Sequence, residues 1–185
     1  MGDSPSLRGL PLFAALAADG QGILYLSHPE NGSVWRITPD GRATLLWTAS
    51  SVANARPSPT GLVYDPQSDS VIVADSGTGS LYRLIETETG VEGQLLYRQQ
   101  GFDPRALALD RQGRLLVAAW QGDNGSLYRF DEANGLVALA EGFRQPTGLV
   151  VVDNTAYVVS SGTFGLIGGV ESKPPFRVDA VRLPD

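Results

Sequence analysis

A proline-led segment occurs three times in this chain at a nearly constant interval. The copies begin at Pro59, Pro104 and Pro146, which lie 45 and 42 residues apart, and each opens with a short apolar run. A fourth, fainter copy begins near Pro11. Internal repetition at this interval indicates one supersecondary unit repeated along the chain. We therefore expect a single domain over residues 1–185, with repeats at approximately 10–56, 57–101, 102–143 and 144–185.

Within each copy, apolar and polar residues alternate with a period of two, and turn residues separate the runs. This pattern predicts four strands per copy rather than helices. The third strand carries a shared Gly-Ser-apolar-aromatic-Arg motif, whose aliphatic residue we expect to be buried between sheets. The motif begins at Gly32, Gly79 and Gly125, whereas the fourth copy departs from it at Gly165-Leu166-Ile167-Gly168-Gly169. The predicted fold is all-β: a β-propeller of four-stranded antiparallel blades, four in number, as a closed four-blade ring or a partial propeller.

Charge and composition exclude several classes of function. The net charge is −6 and the sequence has no cluster of basic residues, so we expect no nucleic-acid binding. No apolar run is long enough to cross a bilayer, so we expect a soluble protein without membrane insertion. The absence of cysteine leaves the compartment open, either cytoplasmic or periplasmic or secreted with its signal peptide removed.

The strand start at Pro59-Thr60-Gly61 and the turn at Val73-Ala74-Asp75-Ser76-Gly77 resemble the NHL-type propeller repeat. They are also similar to the gluconolactonase and senescence-marker-protein family. The resemblance implies a propeller that serves in calcium- or zinc-dependent lactonases, in lyases or in non-catalytic scaffolds. Most members have six blades, which favours a partial propeller completed by association with another chain.

The resemblance also implies where a metal would be held. The lactonases bind a divalent ion through a Glu, two Asn and an Asp, one of them the Asn of a Pro-Asn-Gly strand start. The Pro-Asn-Gly position here holds Thr60, with Thr147 as its counterpart in the fourth copy, and the Asp position of a Pro-Asp-Gly start falls on Arg105. Because an arginine repels a cation, we predict no metal site, no cofactor and no lactonase-type activity. Calcium or zinc is expected only under the alternative that the chain is a metal-dependent lactone hydrolase or lyase.

Three further residues are candidates for binding or chemistry. His28 could act as a general base with Glu30, but we favour an exposed turn residue before a proline. Asp75 is expected to cap its turn by accepting backbone N–H groups. Trp120, which we align with Asp75, is expected to be either a lid over the core or a binding anchor.

These observations favour a non-catalytic binding or assembly module that uses rim loops at the tops of the blades. The candidate site residues are His28, Glu30, Thr60, Asp75, Arg105, Trp120 and Thr147, and no catalytic residue is predicted. The expected partner is a protein or a second copy of the chain, and a small-molecule ligand is also compatible. The alternative is a metal-dependent lactone hydrolase or lyase of the gluconolactonase-like superfamily.

Overall fold

The computed structural model describes residues 14–121, 124–160 and 176–184, which form strands joined by turns. These residues contain no α-helix, and their single short 3₁₀ turn spans Pro29–Asn31. None of the described segments is a helix that could cross a lipid bilayer.

The strands form four separate antiparallel sheets, in each of which neighbours along the chain are neighbours in the sheet. Sheet 1 contains β1 (Leu16–Ala18), β2 (Leu24–His28), β3 (Ser33–Ile37) and β4 (Ala43–Thr48). Sheet 2 contains β5 (Pro59–Asp65), β6 (Ser70–Asp75), β7 (Ser80–Thr87) and β8 (Gly90–Arg98). Sheet 3 contains β9 (Asp103–Leu109), β10 (Leu115–Gln121), β11 (Asn124–Asp131) and β12 (Gly135–Phe143). Sheet 4 contains β13 (Pro146–Val152), β14 (Thr155–Ser160) and β15 (Arg177–Arg182).

A four-stranded antiparallel meander is the blade of a β-propeller. The prediction of an all-β chain with four propeller blades is therefore confirmed. In sheet 4 the described residues supply three strands, and β15 pairs directly with β14. The departure of the third-strand motif at 165–169 lies outside the described residues.

The chain divides into two compact units between Gln100 and Gly101. Sheets 1 and 2 belong to the first unit, and sheets 3 and 4 belong to the second. Each unit has an apolar core in which one sheet packs on the other. The first core includes Ala17, Val34, Leu62, Val73 and Tyr82. The second includes Leu116, Ala118, Leu127, Ala156 and Val158.

The repeated sequence motifs produce repeated local structure. Asp65 ends the first strand of its blade, and Asp19 and Asp110 directly follow theirs; each carboxylate accepts the backbone N–H two residues ahead. This is the local bonding through which Asp favours turns. In the third strands, the aliphatic residue of the shared motif is fully buried in all three copies, at Val34, Leu81 and Leu127. The burial expected for that residue is confirmed.

Candidate functional site

Thr60, Arg105 and Thr147 occupy the same structural position, the extra residue of a β-bulge. In β5, β9 and β13 the register skips one residue, between Pro59 and Gly61, between Pro104 and Ala106, and between Pro146 and Gly148. A bulge breaks the ladder and redirects the side chain of the extra residue, and bulges are frequent beside active sites. The three positions that the family resemblance pointed to are thus also set apart from their neighbours in the strand by the bulge.

In the second unit, the bulge places Arg105 in a cluster with Asp103 and Trp120. Two of its nitrogens, Nε and Nη2, lie 2.7 Å from the Asp103 carboxylate oxygens. Its guanidinium carbon lies 4.5 Å from the centroid of the Trp120 ring, which is a cation–π contact. The indole N–H of Trp120 donates to the carbonyl of Pro146 at 3.0 Å. The cluster therefore links the strands of sheets 3 and 4.

Within this cluster, burial has the largest influence on the pKa of Asp103. Burial raises the pKa of Asp103 above its ordinary value, because desolvation penalises the carboxylate. The hydrogen bonds and charge of Arg105 oppose that shift without cancelling it. Burial and Arg105 therefore act on the pKa of Asp103 in opposite directions, and burial has the larger effect.

Thr147 is exposed. It directly follows Pro146, whose carbonyl accepts the hydrogen bond from the Trp120 indole. Arg105, Trp120 and Thr147 thus lie at one end of the second unit. We call these three residues the bulge patch. Thr60 lies in the first unit, partly buried, with its hydroxyl 3.5 Å from the carbonyl of Ala74.

Asp75 serves its turn, as expected. It is fully buried, and its Oδ1 accepts the backbone N–H groups of Ser58, Gly77 and Thr78 at 2.7 to 3.3 Å. Its Oδ2 accepts the Thr78 hydroxyl at 2.8 Å. The predicted cap is confirmed, and its carboxylate is committed to the protein's own donors.

His28 is buried, so the expectation of an exposed turn residue was wrong. It ends β2 opposite Ser33, just as Asp75 ends β6 opposite Ser80. Its Nδ1 accepts the Asn31 backbone N–H at 3.3 Å, which caps the 3₁₀ turn. The burial has a physical reason: the position is a turn cap inside the blade, and an imidazole nitrogen can replace a carboxylate as the acceptor. Glu30 lies exposed within that turn.

The alignment of Trp120 with Asp75 was wrong by one residue. Pro104 pairs with Ala119, as Pro59 pairs with Asp75, so Ala119 is the true counterpart. An alanine cannot cap a turn through its side chain. Trp120 therefore corresponds to Ser76, one residue beyond the cap.

The donor chemistry of these residues does not fit the metal site of the lactonases. A hard divalent cation needs several oxygen ligands, preferably charged. The bulge positions offer two threonines and an arginine whose charge is already paired with Asp103. Among the described residues, no group of three or more His, Asp or Glu side chains is placed to hold a metal ion.

The first unit also contains a polar cleft of about 640 Å³ that the sequence analysis did not predict. Tyr25 lines this cleft, and its ring stacks in parallel on that of Tyr64 with the ring centroids 6.2 Å apart. The Tyr64 hydroxyl donates to Asp69 at 2.5 Å, which raises the pKa of Tyr64 to about 12. The two tyrosines occupy different repeat positions, so comparison of the copies could not have revealed the pair.

No protein-family model matches the sequence, and no curated protein matches it either. Several solved structures are similar to this chain. The PQQ-bound aldose sugar dehydrogenase of Streptomyces coelicolor is 16% identical, with a TM-score of 0.73 over 94% of this chain and 61% of that one. A chain of the nidogen/laminin complex is 19% identical, with a TM-score of 0.72 over 92% of this chain and 60% of that one. A putative gluconolactonase is 16% identical, with a TM-score of 0.62 over 92% and 59%.

The chain thus spans about three fifths of the length of these three structures. They include enzymes and a protein complex, and one fold commonly hosts unrelated functions. These likenesses show that the chain has the fold of a β-propeller.

Proposed function

We propose that this chain is a non-catalytic binding or assembly module. The observation that carries the proposal is the state of Arg105. It stands at the bulge where the related lactonases would hold a metal ligand, and it is clamped between the Asp103 carboxylate and the Trp120 ring. A cation fixed at that position opposes metal binding by charge.

The bulge patch also has the composition of a binding surface. Trp and Arg are over-represented among residues that dominate binding energy. Here the Trp120 ring is held by a hydrogen bond and by the guanidinium, so a partner would meet an ordered surface rather than a mobile one. Such pre-organisation lowers the entropic cost of association. The similarity to a chain of the nidogen/laminin complex supports a propeller that acts by contact with another protein.

The alternative function, a metal-dependent lactone hydrolase or lyase, is supported by the likeness to a putative gluconolactonase. The two functions differ in their response to metals. A metal that binds the native state raises its stability by mass action. An enzyme of this type would also hydrolyse gluconolactone faster when the metal is present.

The deciding experiment measures both properties on the intact chain. Thermal unfolding is followed with calcium, zinc or magnesium at millimolar concentration and with chelator, and gluconolactone hydrolysis is followed under the same conditions. We expect no metal-dependent rise in melting temperature and no hydrolysis above that of buffer. A rise of several degrees together with metal-dependent turnover would establish the enzyme and overturn the binding module. A calcium-dependent lactonase serves as the positive control.

A further inference from the structure

Sheet 4 exposes one apolar face. Along its three strands the exposed large apolar side chains on this side are Val150 and Val152 of β13, Tyr157 and Val159 of β14, and Val178 of β15. Thr155, Ala180 and Arg182 lie on the same side of the sheet. Val150 is 53% exposed and Val178 is 61% exposed. The opposite face of the same sheet packs into the second core. We call the exposed side the trailing face of sheet 4.

Strand register shows what this face corresponds to elsewhere. Val159 pairs with Val178, and the equivalent pair in sheet 3 is Ala118 with Leu127. That pair is fully buried, because the trailing face of sheet 3 packs on sheet 4. The trailing face of sheet 4 is therefore of the kind that packs on a following blade.

Sheet 1 has the complementary kind of face, on which Leu26 is buried and the two outermost residues are exposed. Four directly opposed residues form a row across its strands, namely Leu16, Leu26, Trp35 and Leu45. Leu16 is 57% exposed and Leu45 is 55% exposed. The equivalent row in sheet 2 consists of Leu62, Val73, Tyr82 and Leu95. We call this side of a sheet its leading face.

The leading face of sheet 2 packs on sheet 1. Leu62, Val73 and Tyr82 share a core cluster with the sheet 1 residues Ala17 and Val34. The Tyr82 ring also lies 5.2 Å from that of Trp47. The partner of a leading face is therefore the trailing face of another blade. The leading face of sheet 1 is the equivalent surface, but its outer residues are exposed.

One chain thus carries both members of a complementary pair. We propose that the trailing face of sheet 4 binds the leading face of sheet 1 in a second copy of this chain, head to tail. The proposal rests on the assembly function proposed above and names its partner. Contacts between unlike faces of identical chains are heterologous, and two of them can join two copies reciprocally.

The size of the faces favours two reciprocal contacts over one. Three strands of about six residues, at about 3.3 Å per residue and about 4.8 Å between strands, cover about 300 Å² of sheet. One contact would then bury about 600 Å² in total, which is below the range of stable interfaces. Two contacts would bury about 1,200 Å², which reaches it. We therefore expect a dimer rather than a chain of single contacts.

The test uses the full chain and three single variants with the same chemical change. Val178→Lys alters the trailing face, Leu16→Lys alters the leading face, and Ile85→Lys is the control. Ile85 is 40% exposed on β7, pairs with Glu92 of β8 and belongs to neither of the two altered faces. Each substitution adds one positive charge to a chain whose net charge is −6, so it weakens the electrostatic repulsion between copies. Any dissociation must therefore come from the altered face. Mass is measured by light scattering across the micromolar range, with circular dichroism to confirm folding.

We expect the wild type and Ile85→Lys to have the mass of a dimer. Both Val178→Lys and Leu16→Lys should be folded monomers at the same concentration, with at least a tenfold weaker dimer, because each change damages both reciprocal contacts. A monomeric wild type would overturn the proposal, and so would a dimer that only one of the two face variants dissociates. A monomer without metal-dependent turnover would refute this partner while leaving the binding module intact, whereas turnover would refute the module itself.

Discussion

Replacing Arg105 by methionine tests whether the bulge cluster is a coupled unit. Methionine keeps an apolar stem of similar length and removes the charge, so the Asp103 carboxylate loses its partner. The two side chains are 19% and 26% exposed, which places this ion pair between the surface and the interior. The change also removes the cation from the Trp120 ring.

The magnitude follows from that intermediate burial. Removing one partner of a fully buried pair costs about 3–5 kcal/mol, and exposed pairs contribute about 0.2–1 kcal/mol. For a pair with about a quarter of its surface exposed we expect a cost of about 2 kcal/mol, and the lost cation–π contact adds about 0.5–1 kcal/mol. The free energy of unfolding should therefore fall by about 2–3 kcal/mol for Arg105→Met. In Asp103→Asn/Arg105→Met, no unpaired carboxylate remains, and about half of the loss should be recovered.

Urea unfolding followed by circular dichroism at pH 7 and pH 5 measures these values. The pKa of Asp103 is raised in the native state, so that state binds more protons than the unfolded chain, and its stability falls as pH rises through the native pKa. Without Arg105 that pKa rises further. The loss caused by Arg105→Met should then be smaller at pH 5 than at pH 7, and the double variant should lack this difference. Equal losses at both pH values, or additive effects of the two single changes, would refute the coupling.

Two further predictions concern positions that the structure defines closely. Gly125→Ala should destabilise the fold by more than about 2 kcal/mol, because a Cβ there would lie 2.3 Å from Cδ of Pro146, whereas Gly20→Ala, with nothing within 4 Å, should change the urea midpoint little. Asp69→Asn should lower the pKa of Tyr64 from about 12 toward the ordinary value of 10.0, since its largest cause is the hydrogen bond to Asp69. Ultraviolet titration of the tyrosinates measures this, with Tyr64→Phe to assign the signal, and an unchanged titration curve in Asp69→Asn would contradict it.

The blades could be predicted from the sequence because each repeat contains all the signals that its own strands need. Alternation, a turn aspartate and a glycine before the third strand are local, so they specify a blade without reference to the rest of the chain. The third-strand motif that begins at Gly32, for example, leads directly into β3 (Ser33–Ile37).

The site was less predictable because its geometry depends on register between strands. The sequence places Arg105 beside Pro104 but does not show that it is the unpaired residue of a bulge. The misalignment of Trp120 by one residue has the same cause, since only pairing across the sheet identifies Ala119 as the counterpart of Asp75. The burial of His28 was missed because a histidine before a proline resembles a surface turn, whereas the repeat position determines its role as a cap.

The same register argument bears on the exposed faces. In an antiparallel sheet with one face in solvent, polar side chains normally alternate with the apolar ones that face the core, and β13–β15 could have followed this pattern. The outward positions of sheet 4 instead hold Val150, Tyr157 and Val178, which are the residue types of a packed face. Contiguous apolar surface of this kind marks an interaction site or a liability for aggregation. A head-to-tail partner resolves that conflict with the packing that the chain already uses between its own blades, so no new kind of contact has to be invoked.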